Sequence, residues 1–505
     1  MGKILLLIFV SAFFSACVNS GNIVASLAAT GSSGSESTLP VAVADAQTIQ
    51  YETETGLNLL GNDTGVTLSI NSISAGPSHG TATLVAGTIR YTPEAGFLGD
   101  DSLSYMISDG EGNLSNAAVV TITVAMCAGT ALTNSPFAYG VGTPGSPYGI
   151  CTATQLNNIS DTAVYMDKAF KLYTNIDLSG ISFNMIGSAA NPFTGVFKGN
   201  YLTISNLDIT TPSSQVGMFR YISGGTVEHL FLTIGNIAPC ATCSSVGAVA
   251  GTITNWAAID DVHVDGTGTS TVYGQHSIGG IIGSATAPGA TIANSSVDDI
   301  IVSGEGSYVG GIAGYGPVRI FRSNVASTVV VSGQILYTGG VIGRSLEDIS
   351  ETYSLATVNG VSHVGGFVGY LASGTISNCY AKGSVTATGG TEAGGFGGHL
   401  DGGTTVEFSY AIGKVAGTTA TKGCFAGFSG GATDTANFWI NNGDGVTTCN
   451  LGASALGNGA SVLAMTTTDA GGTAGLIDLY ESSWSTTDWY YNVGGYPYLM
   501  NNQED

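Results

Sequence analysis

Val-Gly-Gly-Phe-Val-Gly at 364–369 is one of eight glycine-anchored apolar knots between Val216 and Gly427. The others read VGMF, VGAVAG, IGGIIG, VGGIAG, TGGVIG, AGGFGG and KGCFAG; with Gly365, their first glycines are Gly217, Gly247, Gly279, Gly310, Gly339, Gly394 and Gly423. Successive knots are 26 to 32 residues apart. A near-constant period that tolerates small changes of length is the mark of stacked, loop-joined coils and not of one convergent active site. Two positions after the first glycine stand Phe219, Val249, Ile281, Ile312, Val341, Phe367, Phe396 and Phe425, all large and apolar. One position before it stand Val216, Val246, Ile278, Val309, Thr338, Val364, Ala393 and Lys422. Positions three apart cannot face the same side of an uninterrupted strand, so the glycine pair must be a corner or a bulge.

Further strand signals follow in each period, as in IDDVHV (259–264), IANSSV (292–297) and ISNCYA (376–381), then TVVV (328–331) or SVTATG (384–389). Some two or three short strands per period, stacked at about 4.8 Å, make a parallel β-helix or β-solenoid. The helices of a TIM barrel or Rossmann fold are missing, and the glycine runs repeat inside strands, which removes a phosphate-loop reading. VGGFVGYLASGTISNCYAKGSVTATG at 364–389 resembles the GLUG repeat, and the similarity extends over roughly 150–505. That resemblance implies a bacterial surface scaffold and carries over no catalytic residue.

Upstream, residues 40–125 alternate apolar and polar positions between turns, which predicts about seven strands in a β-sandwich. Through Asn62-Asp63, His79-Gly80-Thr81, Tyr91-Thr92-Pro93, Gly96-Phe97-Leu98-Gly99 and Ser108-Asp109-Gly110 the stretch resembles bacterial cadherin-like or Ig-like modules. The fold class is therefore all-β, a sandwich followed by a solenoid. Residues 126–215 read as connector, amino-terminal cap and first coils, 216–430 as the repeats, and 431–505 as a last coil with an aromatic-rich cap. Thr152 and Gln155 are spaced as a capping box for a short helix.

MGKILLLIFVSAFFSAC (1–17) has one Lys, an apolar run and small residues before Cys17. It resembles a bacterial lipoprotein signal, which implies removal of residues 1–16, acylation of Cys17 and, with Val18 following, the outer membrane; ordinary secretion is the alternative. Residues 17–39 then form a flexible tether. Twelve Lys and Arg against 35 Asp and Glu give a net charge of −23, which cannot supply the basic footprint that nucleic acid demands. Export makes disulfides permissible, with Cys127 and Cys151, Cys240 and Cys243, and Cys424 and Cys449 as candidate pairs and Cys379 left over as a buried thiol.

Chemistry is sparse. Asp265, Asp298 and Asp299 fall at similar offsets in neighbouring periods and form a candidate weak calcium site, with solvated turn acids as the alternative. No Lys or Arg lies between Arg220 and Arg319, which argues against the acid-and-base groups of a polysaccharide lyase there. Tyr308 and Tyr337 share the position two before the first glycine, and Tyr315 and Tyr370 the position five after it, with Arg344, His399 and Phe428. They are a candidate binding stripe if they face outward and ordinary core if inward. The expectation is a non-enzymatic, lipid-anchored, surface-exposed adhesin for a glycan or cell-surface protein, with no resident cofactor. A carbohydrate-active enzyme and a purely structural envelope component are the alternatives.

Overall fold

The computed structural model describes residues 39–128, 136–237, 243–435, 437–441, 463–466, 489–490 and 498–499. Cys17 and the amino-terminal segment, Cys240, Cys449 and most of 431–505 lie outside the described residues.

Seven strands build the first module: β1 Asp45–Gln50, β2 Thr55–Gly56, β3 Ser69–Ala75, β4 Gly80–Val85, β5 Thr88–Pro93, β6 Gly99–Ser108 and β7 Ala118–Ala125. They form a four-stranded sheet in the order β1-β7-β6-β3 and a three-stranded sheet in the order β2-β5-β4. Alternation along β6 and β7 buries Leu103, Tyr105, Ile107, Val120 and Ile122 between the sheets with Ile89 and Tyr91 from β5. The two core tyrosines need partners for their hydroxyls and find carboxylates: Tyr105 donates to Asp45 and Tyr91 to Asp101, each at 2.8 Å. Burial raises the cost of the Asp101 charge, yet hydrogen bonds from the Ser78, His79 and Ser102 amides and from Tyr91 outweigh it, and the carboxyl lies below its ordinary value. Asp109 is likewise engaged in its own turn, accepting from the amides of Glu111 and Asn113.

The module meets the solenoid cap through Gln50, which donates to the carbonyls of Met126 and Ala138, and through an edge-on Tyr51–Tyr139 pair. A disulfide joins Cys127 to Cys151 at the start of the cap. Next to it a short helix, Ala153–Asn157, is capped by Thr152, whose hydroxyl accepts from the Gln155 amide, while the Gln155 side chain reaches back to the Cys151 amide. Cys243 and Cys424 are disulfide-bonded as well.

In the solenoid each regular coil has five short strands rather than two or three; one coil comprises Tyr308–Gly310, Ala313–Gly316, Val318–Phe321, Asn324–Val325 and Val330–Gly333. The first and second of these belong to two separate eight-stranded parallel sheets, and the last three belong to a long common sheet. The glycine pair turns the corner between the first two, so residues on both sides of it, such as Val309 and Ile312, point into one core. Coils approach so closely there that a Cβ on Gly366 would overlap the carbonyl oxygen of Gly395. Inside, like sits on like: Phe367, Phe396 and Phe425 stack at 4.7 and 4.8 Å, and Tyr353, Tyr380 and Tyr410 at 4.8 and 4.9 Å.

A second corner carries a polar ladder. Asp261, Asn294, Arg322, Glu351, Asn378 and Phe408 all take φ between 48 and 54°, a left-handed conformation that costs a non-glycine residue about 1–2 kcal/mol. It turns the next residue inward. Ser295, Ser323, Thr352, Cys379 and Ser409 are thereby buried, and each donates to the carbonyl two residues before it. Ser295 accepts from the amide of Val262, Ser323 from Ser295, Thr352 from Ser323, and Ser409 from Cys379, each in the preceding coil. These bonds satisfy amides that the corner would otherwise leave unpaired in the core. Cys379 is a free buried thiol occupying one rung, and burial pushes its ionisation up.

Gly366→Val is expected to cost about 3 kcal/mol or more because backbone must separate from backbone, whereas Gly389→Ala, which meets only Val361 at 3.5 Å, is expected to be close to neutral. Denaturant unfolding of the full chain checks the pair. Asp101 titrates lower when folded than when unfolded, so its stabilisation is complete above the unfolded carboxylate range, about pH 4, and is lost as pH falls through the folded value. The protection factors of the β5–β7 amides, exchange rates normalised to the intrinsic rate at each pH, are expected to fall on acidification, and those of Asp101→Asn to be lower at pH 7 with a shallower acid dependence.

Candidate functional site

The corner at the glycine pair sends the residue before the first glycine inward and the residue before that outward; on the following strand the residue five after the glycine also points outward. Parallel register carries both positions from coil to coil. One column runs Thr252, Ser284, Tyr315, Arg344, Tyr370, His399, Phe428. The other runs Ser245, Ser277, Tyr308 and continues through Tyr337, His363 and Glu392. The columns touch, Tyr308 lying 4.7 Å from Tyr315 between ring centroids and Tyr337 5.1 Å from Tyr370. All four tyrosines of the expected stripe are half-buried and come together on this one outer face.

Arg344 lies between two of them, its guanidinium 5.7 Å from the Tyr315 ring centroid and 5.1 Å from that of Tyr370. Its Nε is buried and has no acceptor among the described residues. Tyr370 donates to Asp401 at 2.7 Å. Burial, and then that bond, push the phenol up to about 12, and the same bond holds Asp401 below its ordinary value.

Farther along the strip His363, Glu392 and His399 converge. Glu392 Oε2 lies 2.7 Å from His399 Nδ1 and 3.5 Å from His363 Nε2. The other nitrogen of His363 is 3.0 Å from the Ser362 hydroxyl. Burial lowers the His363 imidazole below its ordinary value, Glu392 opposing and His399 reinforcing the shift. His399 also packs edge-on against Tyr370 at 4.7 Å and against Phe428 at 4.6 Å.

A separate outer face, on the long common sheet, holds Asp265 and Asp298. Both line a cavity of about 350 Å³ with Phe231, His263, Ser296 and Thr203. Burial raises the Asp265 carboxyl, against the Gly266 amide it accepts, and the charges of Asp298 and Asp299 add to the rise. Asp298 Oδ1 already accepts from the Asp299 amide and the Thr328 hydroxyl, while Asp299 is absent from the cavity wall and takes φ 48°. At the same cavity His263 Nε2 is 2.9 Å from Asp261 Oδ1, and its Nδ1 is 2.7 Å from Ser296 Oγ. A carboxylate only accepts, so Nε2 carries the proton and the Nδ1 lone pair faces the serine hydroxyl. A base so held can take a proton from a hydroxyl. Along the chain Ser296 has no base beside it, because His263 and Asp261 sit on the preceding coil. The signal is nonetheless in the strand segments: IDDVHV above IANSSV sets His263 over Ser296.

Among curated proteins, Halomucin from Haloquadratum walsbyi is 33% identical over 217 residues, covering 41% of this chain and 2% of its own length. A protein of Evansella cellulosilytica, provisionally named as a Gly-rich membrane protein, is 34% identical over 142 residues, covering 26% of this chain and 16% of its own. The chain thus spans only a small part of these relatives. A crystal structure provisionally assigned as an immunoglobulin A1 protease from Bacteroides ovatus covers 73% of this chain and 97% of its own at 19% identity and TM-score 0.40. Another, named IgA1 Protease, covers 75% of this chain and 29% of its own at 14% identity and TM-score 0.32. The expectation of a non-enzymatic protein is corrected on these two protease names, although likeness at this level gives no residue of the chain a role. Two segments match family models over defined spans: residues 37–123 are a bacterial Ig domain, and residues 360–386 carry the GLUG motif.

Proposed function

We propose that the chain is a cell-envelope recognition protein that binds a glycan along the Tyr–Arg–His strip, held at the membrane by acylation of Cys17 and set off from it by the Ig domain. The observation that carries this reading is Arg344. A guanidinium clamped between two tyrosine rings, with a buried N–H that has no acceptor among the described residues, is costly to maintain without a ligand oxygen to accept from it. Tyrosine hydroxyls on both sides extend the same polar–aromatic surface, which suits sugar hydroxyls and apolar ring faces together. The net charge of −23 repels polyanions, so a neutral glycan is favoured.

The relay at Ser296 supports a second reading, hydrolysis in the cavity of the long sheet. Ser296 Oγ attacks a substrate acyl carbon as its proton passes to His263 Nδ1, with Asp261 stabilising the imidazolium through Nε2–H; the imidazolium returns that proton to the leaving group as its bond to the acyl carbon breaks, and a water that gives its proton to the same imidazole releases the acid and restores Ser296. It calls on none of the strip residues.

Glycan arrays probed with the full chain are expected to give a hit whose affinity falls on the order of tenfold in Arg344→Gln and in Tyr337→Ala. Full binding by both variants sinks the strip as the recognition surface. For the second reading, a fluorophosphonate is expected to label the wild type and to spare Ser296→Ala and His263→Ala. Labelling that is absent from the wild type, or persists in both variants, removes it.

A further inference from the structure

We infer that His363, Glu392 and His399 form a binding site for a borderline divalent transition metal ion, with Zn2+ as the reference ion. Their ligand atoms all lie within 4.8 Å of one another, the single such grouping among the described residues. Ligands at about 2.1 Å in tetrahedral zinc are about 3.4 Å apart. The Glu392 oxygen stands 2.7 Å from His399 Nδ1 and 3.5 Å from His363 Nε2, so the spacing brackets that value before any ion enters.

The fold fixes the three donors in ways that a passing surface ion pair lacks. Glu392 and His399 flank the corner of one coil, and His363 is on the coil before it, so parallel register sets their separation. His363 takes φ 51°, and its Nδ1 is held by the Ser362 hydroxyl, which in turn lies 3.2 Å from the Thr391 hydroxyl of the next coil. This is the outer-shell hydrogen bond that orients a ligating imidazole and frees Nε2 for metal. Tyr370 and Phe428 wall His399 on two sides. The donor side chains remain 15–20% exposed, which leaves an entry path and at least one coordination position for water or ligand. Two imidazoles and one carboxylate favour zinc, copper, nickel or iron over calcium and magnesium, whose sites are built from oxygen.

The site shares His363 and His399 with the strip, but its test reads metal uptake alone, so its failure and that of glycan binding are distinguishable, and it is separate from the Ser296 relay. It is tested on the full chain by calorimetric titration with Zn2+ at physiological salt and by the visible spectrum of the Co2+ form. The expected result is one equivalent taken up, a ligand-field band for Co2+, and no displacement by millimolar Ca2+. Affinity is expected to drop tenfold or more in His363→Ala, His399→Ala and Glu392→Gln and to fall measurably in Ser362→Ala. The His229→Ala variant, which removes a histidine on another coil lying 3.9 Å from Asp261, is expected to bind as the wild type does. No uptake, uptake that Ca2+ displaces, or uptake indifferent to the three ligand variants overturns the site and leaves only diffuse cation association with an acidic surface. If a ligand variant misfolds, absence of the Co2+ band in the wild type alone suffices to overturn it.

Discussion

The solenoid depends on backbone meeting backbone at the glycine-pair corners. In-register parallel stacking sets the coils about 4.8 Å apart, and at that distance the second glycine of the five central corners, Gly280, Gly311, Gly340, Gly366 and Gly395, lies against the carbonyl of the next coil, while Met218, Ala248 and Cys424 take that position toward the ends. A side chain introduced at any of these five glycines would push two coils apart and break the ladders on both sides of the corner together. Because the corner is closed by glycine, the residues flanking it can all turn inward and form continuous apolar columns. The same constraint fixes the outside: two outward positions, one on each side of the corner, are held side by side in every coil. The strip of Tyr308, Tyr315, Tyr337, Arg344, Tyr370, His363 and His399 is what those positions carry.

The second corner solves the same packing problem by another route. Its left-handed residue is an asparagine, acid, arginine or phenylalanine, so local strain is accepted, and it is offset by an inward hydroxyl or thiol that closes one hydrogen bond within the coil and another to the coil before. Cys379 fits because a thiol can serve as a weak donor and acceptor at nearly the size of serine's hydroxymethyl group. Burial without a partner thiol is thus a structural role for it.

Periodicity made the architecture legible, and the reason is physical: residues that stack must match. The columns at Val309 and Ile312 required a corner, and the corner is there. The number of strands per coil was not legible, since Asn294 and Asn378 suit the left-handed turn that breaks the long sheet but Arg322, Glu351 and Phe408, which take it in the same column, do not announce it. The tyrosine columns were legible from alignment of the repeats, but their contact across the corner depends on the backbone path. The pairing of Ser296 with His263 is not legible along the chain, where Asp261 is near His263 and Ser296 is far. In a solenoid the relevant neighbour is one period away.

The strip also has a modular grammar. Excising residues 337–362, one 26-residue period, removes Tyr337 and Arg344 and sets His363 directly beyond Tyr308 with the register of every ladder intact. Tandem recombination between coils can therefore rewrite the outward chemistry cassette by cassette while the apolar columns close over the junction. A lineage built on this fold can shuffle ligand preference by gaining or losing whole turns, a larger step than point mutation and one the core does not resist.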